Sequence, residues 1–303
     1  MIFRNRNIYL SSKRYDYRNV LTVGKQFYKI ESLDGSGKKS KGRNSAVFKL
    51  IEPNTESEYA IKFCKFPSNS PSDWDQLANK RFDHEISALK QARANGFQNV
   101  IRIDFEGKKK IDGLDFKYYV MEKADTDLTS YLAGNEIALN QKIQFCLQIA
   151  KGISELHGID LFHRDIKPDN IFIITNGEKS VWKIGDLGLS LFRGQDFSKE
   201  EFRDKIGPFG WLSPEVMNKV LCEGTEKEKI FSCKIDNVSD VFQLGKLFWF
   251  ISQGNVPIGL TRFTDFTIRK REIFDIISKM IQYKKSRRIK LNNVITSLER
   301  LSY

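Results

Sequence analysis

Eight residues, 163–170 (HRDIKPDN), restrict what this chain can fold into more than any other stretch. They follow a segment with helical apolar spacing at Ile143, Leu147, Ile149, Ile153 and Leu156, which closes near His157. They precede the apolar run 171–174. The stretch is therefore a loop between a helix and a strand, fixed by regular structure on both sides, where scaffolds tend to carry reactive side chains. Asp165, Lys167 and Asn170 offer a base, a cation and an oxygen ligand within it. Phosphoryl transfer asks for that trio, because its catalysis is largely positioning and neutralisation of charge on oxygen.

The chain has 303 residues, enough for one large core or for two smaller lobes joined by a short hinge. Its 40% hydrophobic and 29% charged residues are those of an ordinary globular protein. No apolar run approaches the ~20 residues that span a bilayer, and the richest, 244–251, reads as a buried helix. The start lacks the uninterrupted apolar segment of a secretory signal; being Arg-rich and acid-poor, it leaves a transit peptide as the alternative. Cys64, Cys146, Cys222 and Cys233 are scattered, with no C-x-x-C and no nearby His to complete a metal site. Reduced thiols in a cytoplasmic compartment are expected. The net charge of +12 admits nucleic acid, anionic membrane or acidic substrates as partners. The Lys and Arg are spread along the chain without a nucleic-acid-binding motif, which favours a solvated basic surface.

Residues 1–27 are polar and basic, with Asp16 the only acid, and read as an extension that either packs on the first lobe or stays mobile, ahead of a strand-rich region that begins at 28–30. Between two strand-like segments lies 40–47 (SKGRNSAV), whose small residues would let backbone N–H groups approach phosphate oxygens. Gly35 and Gly37 offer a second register for that loop. Residues 58–63 alternate as a strand with Lys62 among apolar neighbours, and a half-buried Lys needs an anion. Residues 77–92 have helical spacing at Phe82, Ile86 and Leu89, with Glu85 facing the same way. Strands at 99–105 and 116–122 flank a turn at 107–113, whose tip would carry Lys108, Lys109 and Lys110 into solvent. The runs 171–174 and 181–184 enclose Thr175-Asn176-Gly177-Glu178, a hairpin signal, and Gly185-Asp186-Leu187-Gly188 follows. Asn170 and Asp186 then emerge at the ends of paired strands, close enough to share Mg²⁺ through oxygen. A final amphipathic stretch covers 292–301.

In this order the motifs resemble those of the protein kinase family over residues 28–301. HRDIKPDN resembles its catalytic loop, and 40–47 matches the glycine-rich G-x-G-x-x-G-x-V in Gly42 and Val47. Leu187 stands where D-F-G has Phe, and Trp211-Leu212-Ser213-Pro214-Glu215 stands in place of A-P-E. Residues 239–245 (SDVFQLG) resemble the central helix whose Asp, here Asp240, braces the catalytic loop. Residues 118–128 (YYVMEKADTDL) resemble the hinge.

The resemblance implies an α+β bilobal fold. A small antiparallel β-sheet N-lobe with one main helix would occupy 28–122, and a larger, mostly α-helical C-lobe 123–303. It implies ATP and Mg²⁺ as cofactors, with ATP bound between the lobes and its γ-phosphoryl group passed to a protein hydroxyl. Asp165 would take or orient the hydroxyl proton, and Lys167 would stabilise charge on the transferred group. Lys62, oriented by Glu85, would hold the α- and β-phosphates, while Asn170 and Asp186 would carry the metals. Val47 and Ala60 would cover adenine from above and Phe172 from below. Met121 would be the gatekeeper, Glu122 and Ala124 would offer backbone groups to adenine, and Asp127 would lie near the ribose with Asp125 as competitor. His163, Leu187, Leu89 and Ile103 would stack as an apolar spine. Glu215 would pair with Arg287, for which Arg288 is the competing choice.

Lys167, two residues after the base, is the Ser/Thr-kinase pattern. Pro208-Phe209-Gly210-Trp211 instead resembles the tyrosine-kinase substrate loop, so dual or tyrosine specificity stays open. Arg164 is where kinases sense a phosphate on the activation segment, and Ser198 is the expected acceptor after Ser190 and Ser213 are set aside. The sparse glycine loop and Leu187 also leave open a pseudokinase that binds partners without chemistry.

Overall fold

The computed structural model describes residues 1–11, 17–33, 44–177, 179–195 and 209–302; Gly42, Ser198 and Pro208 lie outside them. Two compact units emerge, Met1–Asn95 with Ile101–Ala124, and Gly96–Val100 with Asp125–Tyr303. Among the described residues no helix is long and apolar enough to cross a membrane.

The first unit is built on six antiparallel strands: β3 (Val20–Val23), β4 (Gln26–Glu31), β5 (Ser45–Ile51), β6 (Glu58–Cys64), β7 (Ile103–Ile111) and β8 (Leu114–Glu122). Their order in the sheet is β3-β4-β5-β6-β8-β7. Opposed residues of antiparallel strands share a face, and successive residues alternate between faces. Ala46, Phe48 and Leu50 of β5, Ile61 and Phe63 of β6, and Phe116, Tyr118 and Val120 of β8 therefore make one apolar face. The sheet curls far enough for Lys109 Nζ on one edge strand to donate to the Val20 carbonyl on the other at 2.7 Å. The rings of Tyr28 and Phe105 meet nearby with centroids 5.7 Å apart.

The described residues of the 1–27 extension pack on this unit, the first of its two expected alternatives. β1 (Ile2–Arg4) and β2 (Asn7–Tyr9) form a hairpin of their own, and Met1, Ile8 and Leu21 are buried against the concave apolar face. Phe3 stacks on Phe116 with centroids 4.8 Å apart, and its N–H donates to Asp112 Oδ2 at 2.8 Å. The strand character does not show in the sequence, since a three-residue strand has almost no period.

The β7–β8 turn also differs from expectation. It sits at Asp112-Gly113, both at positive φ (48° and 83°), and not at 107–113. An Asp-Gly pair suits the tight hairpin turn that needs positive φ twice. The three lysines are consequently within β7, where Lys108 and Lys110 are exposed and Lys109 turns inward. Residues 99–102 lie outside the strand, and Asn99, itself part of the second unit, accepts there from Ile184 N at 2.9 Å through its carbonyl and donates from Nδ2 to Trp182 O.

Opposite the apolar face, α1 (Asp73–Ala94) packs through Phe82 on Tyr119, ring centroids 5.4 Å apart. It starts one turn earlier than its apolar spacing suggests, with Asp73 and Asp75 in the first turn, where carboxylates suit the helix dipole.

The second unit is mostly helical: α2 (Leu128–Gly134), α3 (Leu139–Gly158), α4 (Pro214–Cys222), α5 (Asn237–Gln253), α6 (Arg271–Met280) and α7 (Leu291–Leu301). Helix α5 is its axis, with Val241, Leu244, Leu247, Phe248 and Ile251 all buried. Asp236 caps its start by accepting from Val238 N at 3.0 Å, and Gly254 at φ 82° ends it. Gly245 is required by packing: a Cβ there would lie 2.7 Å from Met280 Cβ on α6. The expected hairpin is β11 (Ile171–Asn176) paired with β12 (Lys179–Ile184), turning at Gly177 with φ 62°, and β11 also pairs with the short strand β9 (Thr126–Asp127).

Because Ile8 is 2% exposed in the core of the first unit, Ile8→Ala should destabilise that unit by about 2–5 kcal/mol. Chemical denaturation measures this. A dispensable tail would show a change within about 0.5 kcal/mol.

Candidate active site

The loop 163–170 follows α3 and the short strand β10 (Leu161–Phe162) and is pinned from α5. Asp240, fully buried, accepts from His163 N at 2.8 Å through Oδ2 and from Arg164 N at 2.9 Å through Oδ1. His157 Nε2, at the end of α3, lies 2.9 Å from the same Oδ2. Burial alone would push the Asp240 carboxyl up, but the hydrogen bond and charge of His157, with the Arg164 N–H, hold it below the usual range. One helical turn on, Gln243 accepts from Ile166 N at 3.3 Å and donates to Arg164 O at 3.1 Å. Arg164 can thus be held at φ 68°, a left-handed conformation costly for a non-glycine residue. Neither Gln243 nor His157 was singled out from the sequence. Gln243 could have been found from its spacing, since i and i+3 share a helix face.

His163, with no exposure, accepts from Asp165 N at Nδ1 (3.2 Å), which leaves its proton on Nε2, 3.2 Å from Gly185 O. Asp165 Oδ2 receives Lys167 Nζ at 2.6 Å and Asn170 Nδ2 at 3.0 Å. Asn170 Nδ2 also donates to the Asp165 carbonyl at 2.7 Å. The strands β11 and β12 bring Gly185 N to Asn170 O at 3.0 Å, so Asp186 is one residue from that bond. Asp186 is held at φ 54° ahead of the buried Leu187. With its amide nitrogen committed to Asp165, Asn170 keeps Oδ1 as an oxygen donor, and Asp186 brings a carboxylate. Oxygen donors of this kind fit Mg²⁺. Phe172 is half-buried on β11 opposite Asp127, whose carboxylate caps α2 by accepting from Ser130 N at 2.8 Å. Its competitor Asp125 accepts from Thr175 N at 2.7 Å.

In the first unit, strand register puts Val47 opposite Lys62 and Lys62 opposite Tyr119, with Ala60 opposite Met121. Val47, Ala60, Lys62 and Met121 therefore share the face turned away from the apolar core. Lys62 Nζ lies 2.7 Å from Glu85 Oε1, and the Tyr119 hydroxyl donates to the same oxygen at 2.9 Å. All three are buried. Tyr119 is a further residue that sequence spacing did not expose, because only the β6–β8 register brings it to Lys62. Glu122 N donates to Arg102 O at 3.0 Å, and Ala124 closes the unit, both half-buried. Leu89 and Ile103 are buried in this unit, as His163 and Leu187 are in the other.

The expected partner of Glu215 is corrected. Arg287 is exposed, and Arg288 makes the pair, with N–O distances of 3.0 and 2.6 Å. The short helical turn Lys285–Arg287 rotates residue 287 outward and 288 inward. Arg288 Nε donates to Gln282 O, and its terminal nitrogens also reach Val238 O and Tyr283 O, which uses all five guanidinium N–H groups. Its plane lies over the Phe242 ring at 4.9 Å. Ser190 and Ser213 are both buried.

Comparison with known proteins accords with this geometry. The family described as protein kinase domain matches residues 37–298, and the chain belongs to that family. It is similar to the sensor for unfolded proteins in the ER ire1 of Schizosaccharomyces pombe, 29% identical over 197 residues, 58% of this chain and 18% of that protein. It is similar to the serine/threonine-protein kinase mph1 of the same organism, 25% identical over 244 residues, 79% of this chain and 33% of that protein. Human mitogen-activated protein kinase 4 is 33% identical over 143 residues, 45% of this chain and 22% of that protein. The chain thus covers no more than a third of the length of these three relatives.

Two measurements follow from the buried charges. Arg288→Ala, by stranding the Glu215 carboxylate, should cost about 3–5 kcal/mol in denaturation, and Arg287→Ala less than about 0.5 kcal/mol. Asp240 titrates below its ordinary value when folded. Its contribution is complete above the ordinary carboxylate pKa and is lost as pH falls through the lowered one. Stability should therefore fall more steeply below about pH 4 in the wild type than in Asp240→Asn.

Proposed function

We propose that this chain is an ATP- and Mg²⁺-dependent protein kinase that transfers the γ-phosphoryl group to Ser and Thr hydroxyls of proteins, itself included. The observation that carries the reading is Asp165, whose Oδ2 is held by Lys167 and Asn170 on a loop clamped from α5. Both contacts fall on Oδ2, so Oδ1 is the atom for the incoming hydroxyl. The substrate oxygen forms the new bond to the γ-phosphorus, the bond to the ADP oxygen breaks, and the hydroxyl proton passes to the Asp165 carboxylate. Lys167, beside the base, lies where charge gathers on the transferred group. Lys62 takes the α- and β-phosphates, its ammonium aimed by Glu85 and Tyr119. Asn170 and Asp186 would hold Mg²⁺, which when bound neutralises charge on the phosphate oxygens. Val47, Ala60, Met121 and Phe172 supply apolar cover for adenine, with the backbone of Glu122 and Ala124 as its polar partners and Asp127 at the ribose.

Ser/Thr specificity rests on Lys167 and is in keeping with the name of the mph1 relative. Arg164 would sense a phosphate on Ser198. The four thiols are free and Cys64, Cys146 and Cys222 are buried, which suits a reducing, cytoplasmic setting; burial pushes the Cys64 thiol up to about 11.

Incubation with labelled ATP, Mg²⁺ and dephosphorylated casein, followed by phosphoamino-acid separation, tests the reading. Phosphoserine and phosphothreonine are expected, with Asp165→Ala slower by about 10²–10⁴-fold. Label on tyrosine alone overturns the specificity, and full activity in Asp165→Ala overturns the role of the base.

A further inference from the structure

Lys246 lies on α5, one and a half turns beyond Asp240, at a position where the helix is otherwise apolar. Its neighbours one turn away on the same helix face are Phe242 and Phe250. Leu or Met would pack there without cost, whereas a half-buried ammonium loses hydration and needs a compensating group. Among the described residues Lys246 makes no ion pair. Instead Nζ donates to the carbonyl oxygen of Gly210 at 2.5 Å and sits 5.6 Å from the centre of the Phe242 ring. Burial holds the amine below the usual lysine pKa, as expected for a cation with only a carbonyl and a ring face as company.

Gly210 belongs to the short helical turn Phe209–Trp211, the segment whose sequence resembles a substrate loop. The same segment is held at two further points. Trp211 packs edge-on against Phe250 with ring centroids 5.7 Å apart, and Val256 approaches to 3.9 Å of where a Gly210 Cβ would be. The ring and the methyl group fill space but set no direction. Among the described residues the Lys246 bond fixes the orientation of the Gly210 peptide, and a donor to a main-chain carbonyl acts whatever side chains flank it.

Resting on the kinase reading above, we infer that Lys246 is a positioning residue for the protein substrate. It sets the Phe209–Trp211 backbone against which the acceptor segment binds, and it takes no part in holding ATP. Loss of the charged donor should weaken engagement of the protein substrate and leave nucleotide binding alone. A purely structural lysine would affect both equally or neither.

Steady-state kinetics with dephosphorylated casein and ATP decide the matter, using wild type, Lys246→Met and Lys246→Arg. In Lys246→Met the KM for casein should rise about tenfold while the KM for ATP stays within about twofold. Lys246→Arg keeps a cationic donor and should restore most of the casein KM. If Lys246→Met does not fold, Lys246→Gln keeps a neutral donor and should show an intermediate rise. An unchanged casein KM in a folded Met or Gln variant overturns the inference alone, as does an equal rise in the KM for ATP. A wild type that transfers no label to casein or to itself overturns both this inference and the kinase reading.

Discussion

The carboxylate of Asp240 is a fully buried charge with three donors around it: two consecutive backbone N–H groups of the 163–170 loop and the ring of His157. An ionised group so far from water is tolerable only when its lone pairs are used. The loop supplies its two donors with Arg164 in a left-handed conformation. The helix thus fixes the loop, and the loop in turn satisfies the helix. Everything chemical in the second unit hangs on this mutual requirement. The Arg164 peptide sets where Asp165 projects, Asp165 receives Lys167 and Asn170, and Asn170 is tied through its carbonyl to the residue before Asp186.

Two further buried charge sets follow the same logic. Glu85 accepts from both Lys62 and Tyr119. Arg288 spends every N–H on Glu215 or a main-chain carbonyl. Pairs such as Lys229–Glu226, both largely exposed, contribute little by comparison, because water screens them. The Arg288 cluster ties Glu215 to α5 through Val238 O and Phe242. Helix α5 therefore bears on the 163–170 loop through Asp240 and Gln243, on Glu215 through Arg288, and on Gly210 through Lys246.

Much of this was legible before any coordinates. The hairpin after Asn170 and the helix bearing Glu85 were expected from local signals, and the helix bearing Asp240 and the meeting of Lys62 with Glu85 from the resemblance. The strands of the first unit were read less well. Lys109 looked like part of a solvated tip because three lysines in a row suggest solvent, yet a strand sends the middle one inward. Residues 1–27 read as an extension because their strands are only three or four residues long, too short to show a period, and whether they pack was open. Their burial comes from the curl of a sheet whose other strands lie far along the chain.

The sequence by itself determined which residue types are available for chemistry and in what order they occur. A base, a cation and an amide on one loop, a carboxylate after a hairpin, and a lysine on a strand are local facts, carried by spacings that repeat over a few residues. Only the tertiary structure decided that Glu215 takes Arg288 and not Arg287, that Tyr119 joins Lys62 and Glu85, and that Gln243, His157 and Lys246 serve segments remote from them in sequence. Those choices depend on strand register and on the rotation of short helical turns. A one-residue change there reverses which side chain faces inward, and nothing in the identity of neighbouring Arg residues records it.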